Sequence, residues 1–92
     1  MQVTFTELAW EDFSYWVDHD EGVVLKIKEL IQAIRKDPFK GIGKPEPLKF
    51  GLQGFWSRRI TGEHRLVYRI SGVKGIDQQC TIVQCRFHYD SQ

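Results

Sequence analysis

Apolar and polar positions along the chain change period several times. Residues 2–6, Gln-Val-Thr-Phe-Thr, alternate and are partly β-branched, which predicts a short strand. The spacing then becomes helical. Ala9, Phe13 and Trp16 fall on one stripe with Trp10 beside it, predicting a helix over about 7–19. Thr6 is placed to cap its N-terminus, and Glu7 suits the positive end of its dipole. A second stripe, Val23, Ile27, Leu30, Ile31 and Ile34, predicts another helix that Asp20 caps and Pro38 stops. The Asp-Glu-Gly link between them makes the pair an αα-hairpin. Both stripes read as core.

Residues 39–54 hold four Gly and two Pro and are expected to form an ordered loop. Gly-Ile-Gly-Lys at 41–44 hints at a phosphate loop, but Pro45 stands where a Walker motif needs Ser or Thr. Pro45 and Pro47 stiffen the backbone on either side of Glu46. From Phe55 the period is two. Trp56 and Ile60 share a face of one strand, and Leu66, Tyr68 and Ile70 share a face of the next, with the turn near Thr61–His64. For both sets to face one core, the hairpin loop must contain an odd number of residues. Arg59 and Arg65 then fall together on the opposite face, where two guanidiniums repel unless an anion visits. A polar stretch, Gly72 to Gln78, leads to a last strand expected from about Gln79 to Tyr89.

At 92 residues the chain is expected to form one domain, 1–92, and 41% hydrophobic with 27% charged residues is a globular balance. No apolar run approaches a membrane span and no signal peptide opens the sequence, so a cytoplasmic protein with no membrane association is expected. Cys80 and Cys85 lie five residues apart on the expected last strand, so they should point to opposite faces and stay unpaired as buried or idle thiols. There is no CxxC, and His64 and His88 lack metal-ligand spacing, so neither metal nor cofactor is expected. The net charge of +1 conceals a division. Glu7, Glu11, Asp12, Asp18, Asp20 and Glu21 fall in the first 25 residues, while all 13 Lys and Arg come later. A basic second part suits an anionic partner.

The candidate chemistry gathers a carboxylate on a stiff mount (Glu46), paired arginines (Arg59 and Arg65), and His88-Tyr89 at a strand end. Cleavage of RNA by its own 2′-hydroxyl needs this set: a base for the hydroxyl proton, fixed cations for the phosphorane, and an acid for the leaving 5′-oxygen. Glutamate is the natural base and histidine the natural acid near neutrality. Arginine suits phosphate because its planar fork donates two hydrogen bonds.

These residues also carry a family resemblance. The run KPEPLK followed by LQGFWSRRITGEHRLVY, its approach PFKGIGKPEP, the terminal RFHY, and the two helices with WED, YW and IKELI resemble the YoeB/Txe toxins of the RelE superfamily. The resemblance extends over nearly the whole chain. It implies an α+β, microbial-RNase-like fold, a twisted, mainly antiparallel sheet packed on the N-terminal αα-hairpin. It further implies a metal-independent mRNA endoribonuclease of a type II toxin–antitoxin system that works at the ribosome A site and inhibits translation. A YefM-type antitoxin would neutralise it, and a homodimer is possible. Carried over by position, Glu46 is the general base, Arg65 stabilises the phosphate with Lys49 and Arg59 in support, His88 is the general acid, and Tyr89 positions RNA. Replacing Arg65 with alanine is then expected to remove most activity and leave the fold intact. The chain departs from the family pattern in a longer connection at 72–76 and in Asp90-Ser91-Gln92 after the tyrosine. The alternative is a non-catalytic module that binds RNA, the ribosome or a partner. The joint presence of Glu46 and His88 favours the enzyme, because binding alone needs no acid and base.

Overall fold

The computed structural model describes residues 1–88. Strand β1 (Gln2–Phe5) runs into helix α1 (Glu7–His19), followed by α2 (Glu21–Lys36) and strands β2 (Glu46–Pro47), β3 (Phe55–Arg59), β4 (Arg65–Ser71) and β5 (Gln79–Gln84). Local signals in the sequence set the helix ends. Thr6 Oγ1 accepts the Ala9 N–H and Asp20 Oδ1 accepts the Val23 N–H, both at 3.2 Å. Asp20 ends α1 and caps α2, so the hairpin turns on one extended residue.

The strands order β1-β5-β4-β3-β2, with β1 parallel to β5 and the other pairs antiparallel. One sheet face packs on the helices. Ile60, Leu66, Tyr68, Cys80 and Ile82 meet Ala9, Trp16, Val23, Ile27, Leu30 and Ile34 there. The hairpin register pairs Trp56 with Tyr68 and Arg59 with Arg65. Ile60 N–H also bonds the His64 carbonyl at 2.9 Å, leaving a three-residue loop of odd length as the pattern required.

Three features differ from the sequence reading. The segment 39–54 is not all loop, because Glu46–Pro47 pairs with Ser57 and Trp56 as the edge strand β2. Pro47 is tolerated there because an edge position can spare an N–H. The last strand ends at Gln84, not near residue 89. Beyond it α1 takes over the backbone: Cys85 N–H bonds Asp12 Oδ2 at 3.1 Å, and the Cys85 carbonyl accepts Trp16 Nε1–H at 2.8 Å. The cysteines do not face opposite ways either. Both are fully buried in the helix-facing core. A register shift accounts for this, because Tyr68 pairs with Ile82 but Val67 pairs with Gln84. The extra residue reverses the alternation before Cys85. Burial pushes both thiols up to about 12.

Arg58 sits on the same side of β3 as Trp56 and Ile60, fully buried and, among the described residues, without an ion pair to a carboxylate. Its guanidinium donates instead to the Asp37, Lys40 and Ile42 carbonyls at 2.8, 2.9 and 3.0 Å, and to Tyr68 Oη at 3.1 Å. Burial raises the Tyr68 hydroxyl above its ordinary value, against the lowering pull of Arg58. It stays protonated and donates to the Pro38 carbonyl at 2.6 Å. This clamp folds residues 37–42 onto the sheet. Gly43 completes the approach with φ 83°, and a β-carbon there would lie 2.8 Å from Leu30 Cδ2. Its carbonyl accepts Arg59 N–H at 2.7 Å, which delivers the chain to β2.

Candidate functional site

Side chains alternate across a strand, so the face turned away from the helices carries Glu46, Ser57, Arg59, Arg65 and Val67. Glu46 pairs with Ser57, which pairs with Val67, and Arg59 pairs with Arg65 in the next row toward the turn. Glu46 and Arg65 are thus two strands apart and one row displaced, about 12 Å between α-carbons from standard strand spacings. That span leaves room for a phosphodiester between long side chains. Glu46, Lys49 and Arg59 are exposed. Among the described residues, neither Arg59, Arg65 nor Lys49 forms an ion pair with a carboxylate.

Arg65 differs from the expectation of a purely electrostatic residue. It is only 8% exposed, and its Nη1 donates to the Thr61, His64 and Gly62 carbonyls at 2.9, 3.1 and 3.3 Å. The guanidinium therefore also braces the hairpin turn. These bonds leave Nη2 and Nε outside the turn's hydrogen bonding. The carbonyl dipoles of the turn meet part of the Arg65 charge.

His88 is exposed and follows β5 in an irregular segment fixed from two sides. Arg65 N–H bonds the Phe87 carbonyl at 3.0 Å, which brings the peptide unit before His88 to the start of β4. The structure thus joins Arg65, Arg59 and the His88 segment at one end of the sheet, with Glu46 diagonally across the face. Lys49 lies past β2, in the turn where its carbonyl accepts Leu52 N–H. No contact between described residues ties it to Arg65. Tyr89 lies outside the described residues, as does the tail 90–92. No three described His, Cys, Asp or Glu side chains lie together as a metal site.

Sequence reasoning missed the residues that seat this segment. Arg86 stacks on Tyr15 of α1 at 3.4 Å from the ring centroid and lies 4.5 Å from the Phe87 ring. Asp12 holds Cys85 N–H. Its carboxyl is raised above its ordinary 3.8, by burial first, against the lowering effects of that bond and of Arg86. A raised value means the folded state holds the proton more tightly, so this group's contribution favours folding below pH 3.8 and is lost as pH rises above it. Asp12→Asn keeps an acceptor for Cys85 N–H without the charge. Its stability at pH 7 should match or exceed that of wild type, and should change less between pH 4 and pH 7. Urea titrations at the two pH values check this, and a loss at pH 7 would show that the charge itself is needed.

A family model described as the YoeB-like toxin of bacterial type II toxin–antitoxin systems matches residues 5–89. Toxin YoeB of Synechocystis sp. is 52% identical over 89 residues, covering 97% of this chain and 98% of that protein. The solved YoeB/ParE toxin from Agrobacterium tumefaciens is 48% identical with a TM-score of 0.91, covering 97% of this chain and all of that one. Staphylococcus aureus YoeB is 42% identical over 97% of this chain and 98% of its own, and single chains from its dimer structure and from its heterotetramer with YefM match with TM-scores of 0.86 and 0.84. No described helix is long and apolar enough to cross a membrane. With the match running from β1 past His88, this chain belongs to the YoeB-like toxins of bacterial type II toxin–antitoxin systems.

Proposed function

We propose that this toxin is a metal-independent endoribonuclease that cuts mRNA at the ribosome A site and so inhibits translation. Glu46 takes the proton from the 2′-hydroxyl. The freed oxygen attacks the adjacent phosphorus while Arg65, supported by Arg59 and Lys49, holds the charge that builds on the phosphoryl oxygens. His88 gives a proton to the departing 5′-oxygen, and Tyr89 positions the RNA. The products are a 2′,3′-cyclic phosphate and a 5′-hydroxyl. The observation that carries this reading is the register that sets Glu46, Arg59 and Arg65 on one sheet face, with the His88 segment bonded to Arg65. The YefM complex and the dimer of the Staphylococcus aureus relative support two further proposals, neutralisation by a YefM-type antitoxin and self-association.

The test is to induce wild type and Glu46→Gln in cells and map mRNA ends. Loss of a positioned base typically costs about 10²–10⁴ in rate. Cleavage within translated codons should therefore appear with wild type and nearly vanish in the variant. The new downstream fragments should carry a 5′-hydroxyl, whereas a 5′-phosphate would overturn the mechanism.

A further inference from the structure

We propose that His64 is a positioning residue for His88, acting through an unprotonated Nδ1 that accepts the N–H of Phe87. The inference rests on the reading of His88 as the general acid. Phe87 N–H lies 2.7 Å from His64 Nδ1, and the Phe87 carbonyl accepts Arg65 N–H at 3.0 Å. Both backbone groups of the residue preceding His88 are therefore held by one dipeptide, His64-Arg65, where the chain enters β4. Gln84 Nε2 adds bonds to the Arg86 and Phe87 carbonyls at 3.0 and 3.3 Å.

The side chain is the acceptor here, while the His64 carbonyl serves the turn. It accepts Ile60 N–H at 2.9 Å, Thr61 N–H at 3.3 Å and Arg65 Nη1 at 3.1 Å, all within the hairpin turn. In an antiparallel ladder the counterpart of the Arg65 N–H bond would be Phe87 N–H to the Arg65 carbonyl; Phe87 N–H goes to the His64 imidazole instead. Since the amide can only donate, Nδ1 must be bare, and a neutral ring then carries its proton on Nε2.

Phe87 also needs such an anchor. Its φ is 67°, the left-handed region, which strains a residue other than glycine and persists only where surroundings enforce it. The kink turns the chain out of line just before His88. The ring that enforces it is itself held, edge to face against Trp16 at 4.7 Å between centroids. Trp16 in turn bonds the Cys85 carbonyl. Helix α1 and the His64-Arg65 dipeptide entering β4 thus close on residues 85–87 from two sides, and the His64 ring touches Trp16 of α1. All of these bonds lie within the protein and hold the residue before His88, so His64 acts on the reaction by fixing where the His88 imidazole starts.

Two variants separate its parts. His64→Phe keeps a ring against Trp16 and removes the acceptor. His64→Asn loses the ring but places Oδ1 near the former Nδ1. Amide hydrogen exchange at Phe87 is read together with cleavage kinetics on ribosomes programmed with a defined mRNA, with His88→Gln in the same assay. In His64→Phe, exchange at Phe87 should quicken at least tenfold while Tyr68 in the core stays protected. The kcat should fall about tenfold with KM within twofold of wild type, and His64→Asn should recover most of both. In wild type, nitrogen-15 shifts should report a bare Nδ1 on His64. Protection of Phe87 that survives in His64→Phe would overturn the proposal, as would a wild-type kcat in that variant while His88→Gln is inactive. A fully active His88→Gln would instead overturn the reading of His88 as the acid, and the positioning role with it.

Discussion

Replacing Arg58 with methionine should destabilise the protein by about 3–5 kcal/mol, the largest loss from any single basic residue. Methionine fills much of the volume, so the cost is in hydrogen bonding more than in a cavity. Carbonyls of Asp37, Lys40 and Ile42 lose their donor together in part-buried surroundings, and each that stays shielded from water costs about 1–3 kcal/mol. Relief from burying a cation offsets part of the sum. Domains of this size hold on the order of 5–15 kcal/mol in total, so the variant should retain little margin. Its melting temperature should fall by roughly 15 °C or more. Arg58→Lys should recover only part, because an ammonium cannot span the three carbonyls and Tyr68 Oη as the guanidinium does. A melt within about 3 °C of wild type, on the scale of a neutral surface change, would show the clamp to be dispensable. The functional consequence follows from the loop that Arg58 pins. Residues 37–44 carry the chain to Glu46, and Arg59, next to the clamp, bonds the Gly43 carbonyl. Loss of the clamp should therefore disturb the candidate base without touching it.

Arg58 also marks where the sequence stops being legible. It lies in a basic, aromatic run, and residue type alone groups it with Arg59 and Arg65 as possible phosphate contacts. Its parity with Trp56 and Ile60 places it on the core face, but a fully buried arginine without a carboxylate is rare enough that pattern reading passes over it. What makes it tolerable is a set of carbonyls from a loop some twenty residues earlier, and no local spacing records that. The helices, their caps and the odd hairpin loop were legible because each depends on neighbours within a few residues. The end of β5 and the siting of Cys85 were not. They depend on a register shift opposite Val67 and on Asp12 and Trp16 of a distant helix taking over the backbone. Of the candidate site, the shared face of Glu46, Arg59 and Arg65 followed from alternation, whereas the burial of Arg65 and the seat of His88 are tertiary.

Replacing Arg65 with alanine should lower mRNA cleavage by roughly 10²–10³-fold, the usual consequence of losing one donor to developing charge, about 3–4 kcal/mol in barrier. The same change should cost about 1–2 kcal/mol in stability, since the turn carbonyls of Thr61, Gly62 and His64 lose Nη1. These two effects must be separated. Rates are therefore compared per folded molecule, well below the melting temperature of the variant, with denaturant titrations on the same samples. Arg65→Lys is the informative intermediate. It keeps a positive charge on this face but loses the fork that serves the turn and the phosphate at once. If charge alone matters, lysine restores most of the rate. If both edges of the guanidinium are used, lysine recovers little. Arg59→Ala provides the contrast, because Arg59 is exposed and its side chain bonds no described residue. Its stability should stay within about 0.5 kcal/mol of wild type, and its loss of rate should be smaller than that of Arg65→Ala. Wild-type cleavage by folded Arg65→Ala would reduce Arg65 to a brace for the hairpin, and the phosphate would then have to be held by Arg59 and Lys49.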